Sequence, residues 1–207
     1  MVKILLADDH SVIRSALKII IENNITNSVV EEAENADSVL EKIQQSDYGL
    51  LILDINMPGV NSVELMTRIF AFNANARILI FSMNPVVPFE KIYLQLGTKG
   101  YLTKTSSQDE IITAIETVMA GNTYHTNIHA GDSKSIEEDN PFSKLSAREF
   151  DIMLHVLRGE TVKEIYRQTG LAVSTISTYK ARIQQKLGVN NNMEMVALAK
   201  AYNIIKE

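Results

Sequence analysis

Cysteine is absent from all 207 residues, which excludes disulfides and thiolate zinc sites and suits a reducing cytoplasm. No apolar run approaches the roughly 18 residues that a membrane-spanning helix requires. The N-terminus carries only Lys3 ahead of an apolar stretch that runs into Asp8 and Asp9, so no signal peptide is expected. These absences describe a soluble, cytoplasmic chain with no membrane partner. Acidic residues are also missing between Ile165 and Met193, where Arg167, Lys180, Arg182 and Lys186 occur. Such a stretch suits either a solvated helical face or a nucleic-acid surface.

Hydrophobic residues make up 45% of the chain, enough for real cores, and the net charge is −5. That charge is unevenly spread. Residues 1–125 hold 9 Lys and Arg against 15 Asp and Glu, residues 126–140 hold 1 against 4, and residues 141–207 hold 10 against 6. An acidic front and a basic back predict two domains with different partners.

Short β-rich runs fall at Val2–Ala7, Val29–Ala33, Leu50–Leu53, Ile78–Phe81 and Tyr101–Thr103. Segments of helical period lie between and after them, near 12–23, 37–45, 62–71, 88–96 and 108–120. Ser107 with Glu110 forms a capping box that starts the last, and Gly121 follows it. Five such βα units predict a parallel sheet covered by helices. Residues 122–142 lose all periodicity and read as a linker. Beyond them the pattern is helical. Ser146 with Glu149 and Thr161 with Glu164 are further capping boxes, Gly159, Gly170 and Gly188 are stops, and helical segments near 173–186 and 192–205 close the chain. Short helices with tight glycine turns are what a helix-turn-helix module needs.

In a parallel sheet of this kind, ligands gather beyond the carboxyl ends of the strands. There the predicted strands end at Asp8 and Asp9, Asp54, Ser82 and Lys104. Three carboxylates brought together repel and raise at least one pKa unless a cation neutralises them. Oxygen donors with open positions favour Mg²⁺ completed by a phosphoryl group. Asp54, on the middle strand, is then the natural nucleophile toward phosphorus, giving an aspartyl-phosphate. Lys104 and Ser82 would bind the remaining oxygens. Plainer readings stand beside these: Asp8 and Asp9 as caps of the next helix, Ser82 as a loop hydroxyl, Tyr101 as packing, and His10 as a surface imidazole. His125, His129 and His155 are scattered and predict no histidine metal site.

LLADDH, LLILDINMPG, LIFSM and GYLTK, in this order and spacing, resemble the receiver domain of two-component response regulators. The resemblance covers residues 1–121 and implies a five-stranded doubly wound parallel sheet, flavodoxin-like in strand order 2-1-3-4-5. It implies phosphorylation of Asp54 by a histidine kinase. It also implies Mg²⁺ held by Asp9, Asp54 and the backbone carbonyl of Asn56, with Asp8 acting through water. Ser82 and Tyr101 would be the switch pair, the ring turning inward, and Lys104 the phosphoryl-binding lysine. Val60, Asn61 and Ser62 depart from the acidic residue and glycine that often follow the Met-Pro-Gly turn, and Thr105 replaces a frequent proline. A phosphatase using a strand-end Asp would carry a second Asp two residues on, where this chain has Asn56. The chain is therefore expected to act on itself alone and not as an enzyme.

Residues 145–189 resemble the LuxR-type helix-turn-helix of NarL/FixJ response regulators, and residues 143–207 are expected to form an all-α domain of four helices. At 100° per residue, Ile176, Ile183 and Leu187 make a buried stripe. Ser174, Thr178, Ala181 and Gln185 then face away, flanked by Thr175, Ser177, Arg182 and Lys186. The resemblance places this helix in the major groove of double-stranded DNA. Short hydroxyls can reach base edges and Arg182 and Lys186 phosphates, whereas Lys180 must snorkel. Ala172 stands where the family usually has a capping Ser. The last helix is more apolar than a small module needs, which core packing mostly explains, and the resemblance implies a homodimer.

Overall fold

The computed structural model describes residues 1–57, 62–84, 86–126, 140–202 and 204–205. Expectations for Pro58, Gly59, Val60, Asn61, His129 and most of the proposed linker fall outside these residues. The chain divides into two units, Met1–Val86 with Tyr93–Thr126, and Val87–Ile92 with Asn127–Glu207.

In the first unit β1 (Val2–Ala7), β2 (Ser28–Ala33), β3 (Leu50–Leu53), β4 (Ile78–Ser82) and β5 (Gly100–Thr103) form one sheet of order β2-β1-β3-β4-β5. Each adjacent pair is parallel, as the alternation of β and helical patterns predicts. Every residue of β3 and β4 is buried, which explains their unbroken apolar runs. Helices α1 (Ser11–Asn24) and α5 (Gln108–Met119) bury Leu17, Ile21, Ile111, Ile115 and Val118 against Ile4, Leu6, Ile52, Leu79 and Phe81. Residues of opposite parity, Leu5, Leu51, Leu53 and Ile80, are equally buried, which leaves α2 (Ala36–Gln45) and α3 (Ser62–Phe72) the other face. Helix α4 (Val86–Gln95) is non-helical at Val87 (φ −93°, ψ 127°) because the following Pro88 disfavours helical backbone there. The Ser107–Glu110 capping box forms in both directions.

The ladder runs one residue past the strands. Asp54 N–H donates to Ala7 O at 2.8 Å, Asp8 N–H to Ala33 O at 3.1 Å and Lys104 N–H to Ser82 O at 2.8 Å. Register alone therefore brings these side chains to one end of the sheet.

The second unit holds a 3₁₀ turn (Pro141–Lys144) and helices α6 (Ala147–Leu157), α7 (Val162–Thr169), α8 (Val173–Leu187) and α9 (Asn192–Ala201). Both expected capping boxes form, Ser146 with Glu149 and Thr161 with Glu164. Gly170 and Gly188 close α7 and α8 in left-handed backbone (φ 67° each), which costs a glycine nothing sterically. Ala172 stands at the N-cap of α8, which has no side-chain cap hydrogen bond. Helix α9 ends earlier than its apolar pattern implied, at Ala201, and Tyr202 turns out to meet Phe142 edge-on at 5.7 Å. Phe142, Phe150, Ile165, Ile176, Ile183 and Met195 are its innermost residues. Among the described residues no helix is long and apolar enough to cross a membrane.

Candidate functional site

The strand ends meet around one ammonium. Lys104 Nζ lies 2.6 Å from Asp8 Oδ2 and 2.7 Å from Asp54 Oδ2, with all three side chains at most 3% exposed. Burial pushes the Asp54 carboxyl above its ordinary range, the Lys104 ammonium and the Asn56 N–H pull it down, and Asp8 adds to the upward push. Burial works to lower Lys104, but its two carboxylate partners outweigh that and hold it above the usual lysine value. Asp54 Oδ1 accepts from Asn56 N–H at 2.8 Å. Asp8 Oδ2 and Asp9 Oδ1 are buried oxygens that accept no hydrogen bond of good geometry. Asp8 and Asp9 do not cap α1, whose N-cap is His10 without a side-chain bond. Instead Asp8 Oδ1 accepts from the His10 backbone N–H at 2.8 Å. Ligand-type atoms of Asp8, Asp9, His10 and Asp54 all lie within 4.8 Å of one another.

Ser82, fully buried, is held rather than free. Its Oγ accepts from Asn56 Nδ2 at 2.9 Å and from Asn84 N–H at 3.1 Å, and Asn84 Nδ2 donates to Asn56 Oδ1 at 3.3 Å. Tyr101 is wholly buried, its ring turned inward and stacked 6.1 Å from that of Tyr93, and its hydroxyl donates to Asn84 O at 3.1 Å. The ring thus stands at the inward end of the movement expected of it. The Asn56 amide is a partner of Ser82 that sequence reasoning missed, because no sequence pattern ties position 56 to a hydroxyl 26 residues on.

In the second unit α8 buries Ile176, Ile183 and Leu187, the predicted stripe. Ser174, Ser177, Thr178, Ala181, Arg182 and Gln185 are exposed, while Thr175 and Lys180 are half-buried. Ser177 and Thr178 donate their hydroxyls to the backbone carbonyls of Val173 and Ser174 at 3.0 and 2.9 Å, leaving lone pairs outward. Ser174, Thr175, Thr178 and Arg182 line a shallow groove together with Tyr179, which the wheel did not single out. Lys186 is different: its Nζ donates to Glu149 Oε2 at 2.6 Å. The expected phosphate contact from Lys186 competes with that bond.

Two family descriptions match this chain: "Response regulator receiver domain" over residues 4–116 and "Bacterial regulatory proteins, luxR family" over residues 143–199. The chain belongs to the NarL/FixJ response regulators. Response regulator UvrY of Escherichia coli (strain K12) is 28% identical over 204 residues, covering 96% of this chain and 94% of UvrY. BvgA of Bordetella pertussis (strain Tohama I) is 30% identical over 207 residues, covering 98% of each. The structure of RcsB from Salmonella enterica serovar Typhimurium, bound to promoter rprA in the presence of phosphomimetic BeF3-, superposes with a TM-score of 0.79. It covers 97% of this chain and 99% of RcsB at 21% identity, a likeness of fold.

The response regulator carries two polar side-chain pairs in its helical unit, each with one buried member, that sequence reasoning missed. His155, 2% exposed, has Nδ1 2.7 Å from Glu160 Oε2. Glu149 is both the capping-box carboxylate of α6 and the partner of Lys186 on α8. Burial pushes the Glu149 carboxyl up, but Lys186 and the Ser146 N–H outweigh it, so it titrates below the ordinary 4.5. A depressed carboxyl contributes stability that is present above its ordinary value and lost as pH falls through the folded value. Glu149→Gln is expected to cost about 1–3 kcal/mol near neutrality. Thermal unfolding across pH checks this: the gap from the parent protein should close in acid.

Proposed function

We propose that this response regulator is a DNA-binding transcription factor switched by phosphorylation of Asp54, with a histidine kinase as donor and Mg²⁺ as cofactor. The observation that carries the reading is the convergence of Asp8, Asp9, Asp54 and Lys104 from separate strand ends. The residues fit a hard divalent cation, since Asp8, Asp9 and Asp54 bring carboxylate oxygens within 4.8 Å of one another. Asp9, Asp54 and the Asn56 carbonyl would hold it, with Asp8 acting through water. The ion supplies charge neutralisation for phosphoryl oxygens.

The chain's own groups do the rest. An Asp54 carboxylate oxygen forms the O–P bond as the N–P bond of the donor breaks, and the departing imidazole keeps the electron pair and takes a proton. Lys104, already between Asp8 and Asp54, is placed to bind a phosphoryl oxygen through its Nζ. Ser82 Oγ would trade its asparagine partners for another, and the Ser82–Asn84–Tyr101 chain of hydrogen bonds links that trade to α4. The inactive/active equilibrium so biased governs DNA binding by the second unit, as a homodimer in the cytoplasm.

Intact-mass analysis with a phosphoramidate donor should show one phosphoryl addition with Mg²⁺ and none in chelator. Footprinting on genomic fragments should show tighter protection by the phosphorylated form. Equal operator affinity of the two forms would sink the switch, and sustained turnover on phosphomonoesters would favour a hydrolase instead.

Within the DNA reading, Arg182 and Lys186 are expected to part company. Arg182→Ala should weaken binding to all duplexes alike and lower the slope of log affinity against log salt by about 1. Lys186→Ala should leave that slope nearly unchanged and lower thermal stability, because its ammonium is committed to Glu149. Filter binding over a salt series separates the two.

A further inference from the structure

We propose that Tyr124 and Thr126 form a strap along β5 that reads the position of Tyr101, with Thr126 as a positioning residue that couples Asp54 phosphorylation to DNA binding. The inference rests on the phosphorylation switch proposed above and adds a contact which that reading does not use.

Strand β5 is an edge strand, with β4 on one side and no strand on the other. An open edge leaves backbone groups unpaired. Here the chain beyond α5 covers that edge. Tyr124 N–H donates to Lys99 O at 2.8 Å, and the Thr126 hydroxyl donates to Tyr101 O at 2.6 Å. Tyr124 is buried in one cluster with Leu79, Leu102 and Val118, while His125 beside it is exposed, the alternation of a strand. Gly100 makes room for this course. A Cβ there would stand 3.2 Å from Tyr124 Cβ and 2.8 Å from Leu79 Cδ1. Residues 122–126, which lack helical or strand periodicity in the sequence, therefore belong with the first unit.

Tyr101 is held at both ends. Its hydroxyl donates to Asn84 O at 3.1 Å, and its own carbonyl accepts from Thr126. Both bonds are made with the ring wholly buried. The first ties the ring to the loop after Ser82, and the second ties its backbone to the start of the segment that leads to the helical unit. A fastened strap favours the inward ring, and an inward ring favours the fastened strap, since coupling is reciprocal. A hydrogen bond made in one ring position and lost in the other contributes about 2- to 10-fold to that coupling.

The test compares the full-length parent, Thr126→Val and Thr126→Ser on a duplex chosen by footprinting, each with and without a phosphoramidate donor. Valine keeps the shape of threonine and removes the donor, so intact mass should show the same phosphoryl uptake as in the parent. The ratio of phosphorylated to unphosphorylated affinity should fall about 2- to 10-fold toward one in Thr126→Val. Thr126→Ser, which restores the hydroxyl, should restore the ratio. Hydrogen exchange should show the Tyr124 and Thr126 amides more protected in the phosphorylated parent than in phosphorylated Thr126→Val. A valine variant with the parent's ratio, a loss that serine does not restore, or equal protection in the two proteins would overturn the strap's role. Equal affinity of the two parent forms would refute the switch itself, and the strap's part in it.

Discussion

Asp54→Asn is expected to accept no phosphoryl group from a small phosphodonor, and to melt at a higher temperature than the parent protein when divalent cations are chelated. The first half follows from losing the nucleophilic carboxylate. The second follows from the field at the sheet end. Burial, the largest cause, and Asp8 hold the Asp54 carboxyl above its ordinary 3.8 despite Lys104. A carboxyl raised by folding favours the native state in acid and withdraws that contribution as pH rises through the folded value. At neutral pH the ionised group is a net cost. Asparagine removes the charge while Lys104 keeps Asp8 at 2.6 Å, so a gain of about 1–2 kcal/mol is expected, as when a functional site gives up its strain. Calorimetric melts in chelator at neutral and acid pH check both sign and trend. A variant that melts lower than the parent at neutral pH would refute the account.

Lys104→Met works in the opposite direction and should have the larger effect on folding. It leaves the carboxylates of Asp8 and Asp54 buried and without their shared counter-ion, a situation that costs about 3–5 kcal/mol. The loss should shrink on acidification, as Asp54 takes up a proton, and on the proposed role of the pocket it should shrink again on adding Mg²⁺, since a ligand of the native state alone stabilises it. Melting curves with Mg²⁺ and with chelator, at two pH values, give the four numbers needed. Parent-like stability in chelator at neutral pH would mean that the buried triad is not an electrostatic unit.

The strand-end carboxylates were legible because a period-free apolar run closed by a polar residue gives the strand and its exit together. The order of the βα units then requires those exits to lie at one end of the sheet. The capping boxes at Ser107, Ser146 and Thr161 were legible because they are local, three residues wide and chemically reciprocal. What escaped was non-local. Lys186 and Glu149 stand 37 residues apart, and a helical wheel gives the azimuth of a side chain but not the partner that meets it. Likewise, Asn56 comes to Ser82 across 26 residues only through the pairing of β3 with β4. Helix α9 stopped short of its apolar pattern because Tyr202 is used in packing against Phe142 instead of extending the helix. His155 read as an isolated imidazole since its partner, Glu160, lies beyond the turn that ends α6.

The grip of two asparagines on the Ser82 hydroxyl has a bearing on how sharply such a protein can answer a stimulus. Each hydrogen bond that the hydroxyl gives up is worth about 0.5–1.5 kcal/mol net, and each one it regains is worth about the same. On the proposed switch the exchange would be nearly isoenergetic, so a measurable idle level and a modest dynamic range are expected. Shortening the amide arm at position 56, which alone reaches Ser82 through a side chain, would reset that idle level without altering the chemistry at the acceptor.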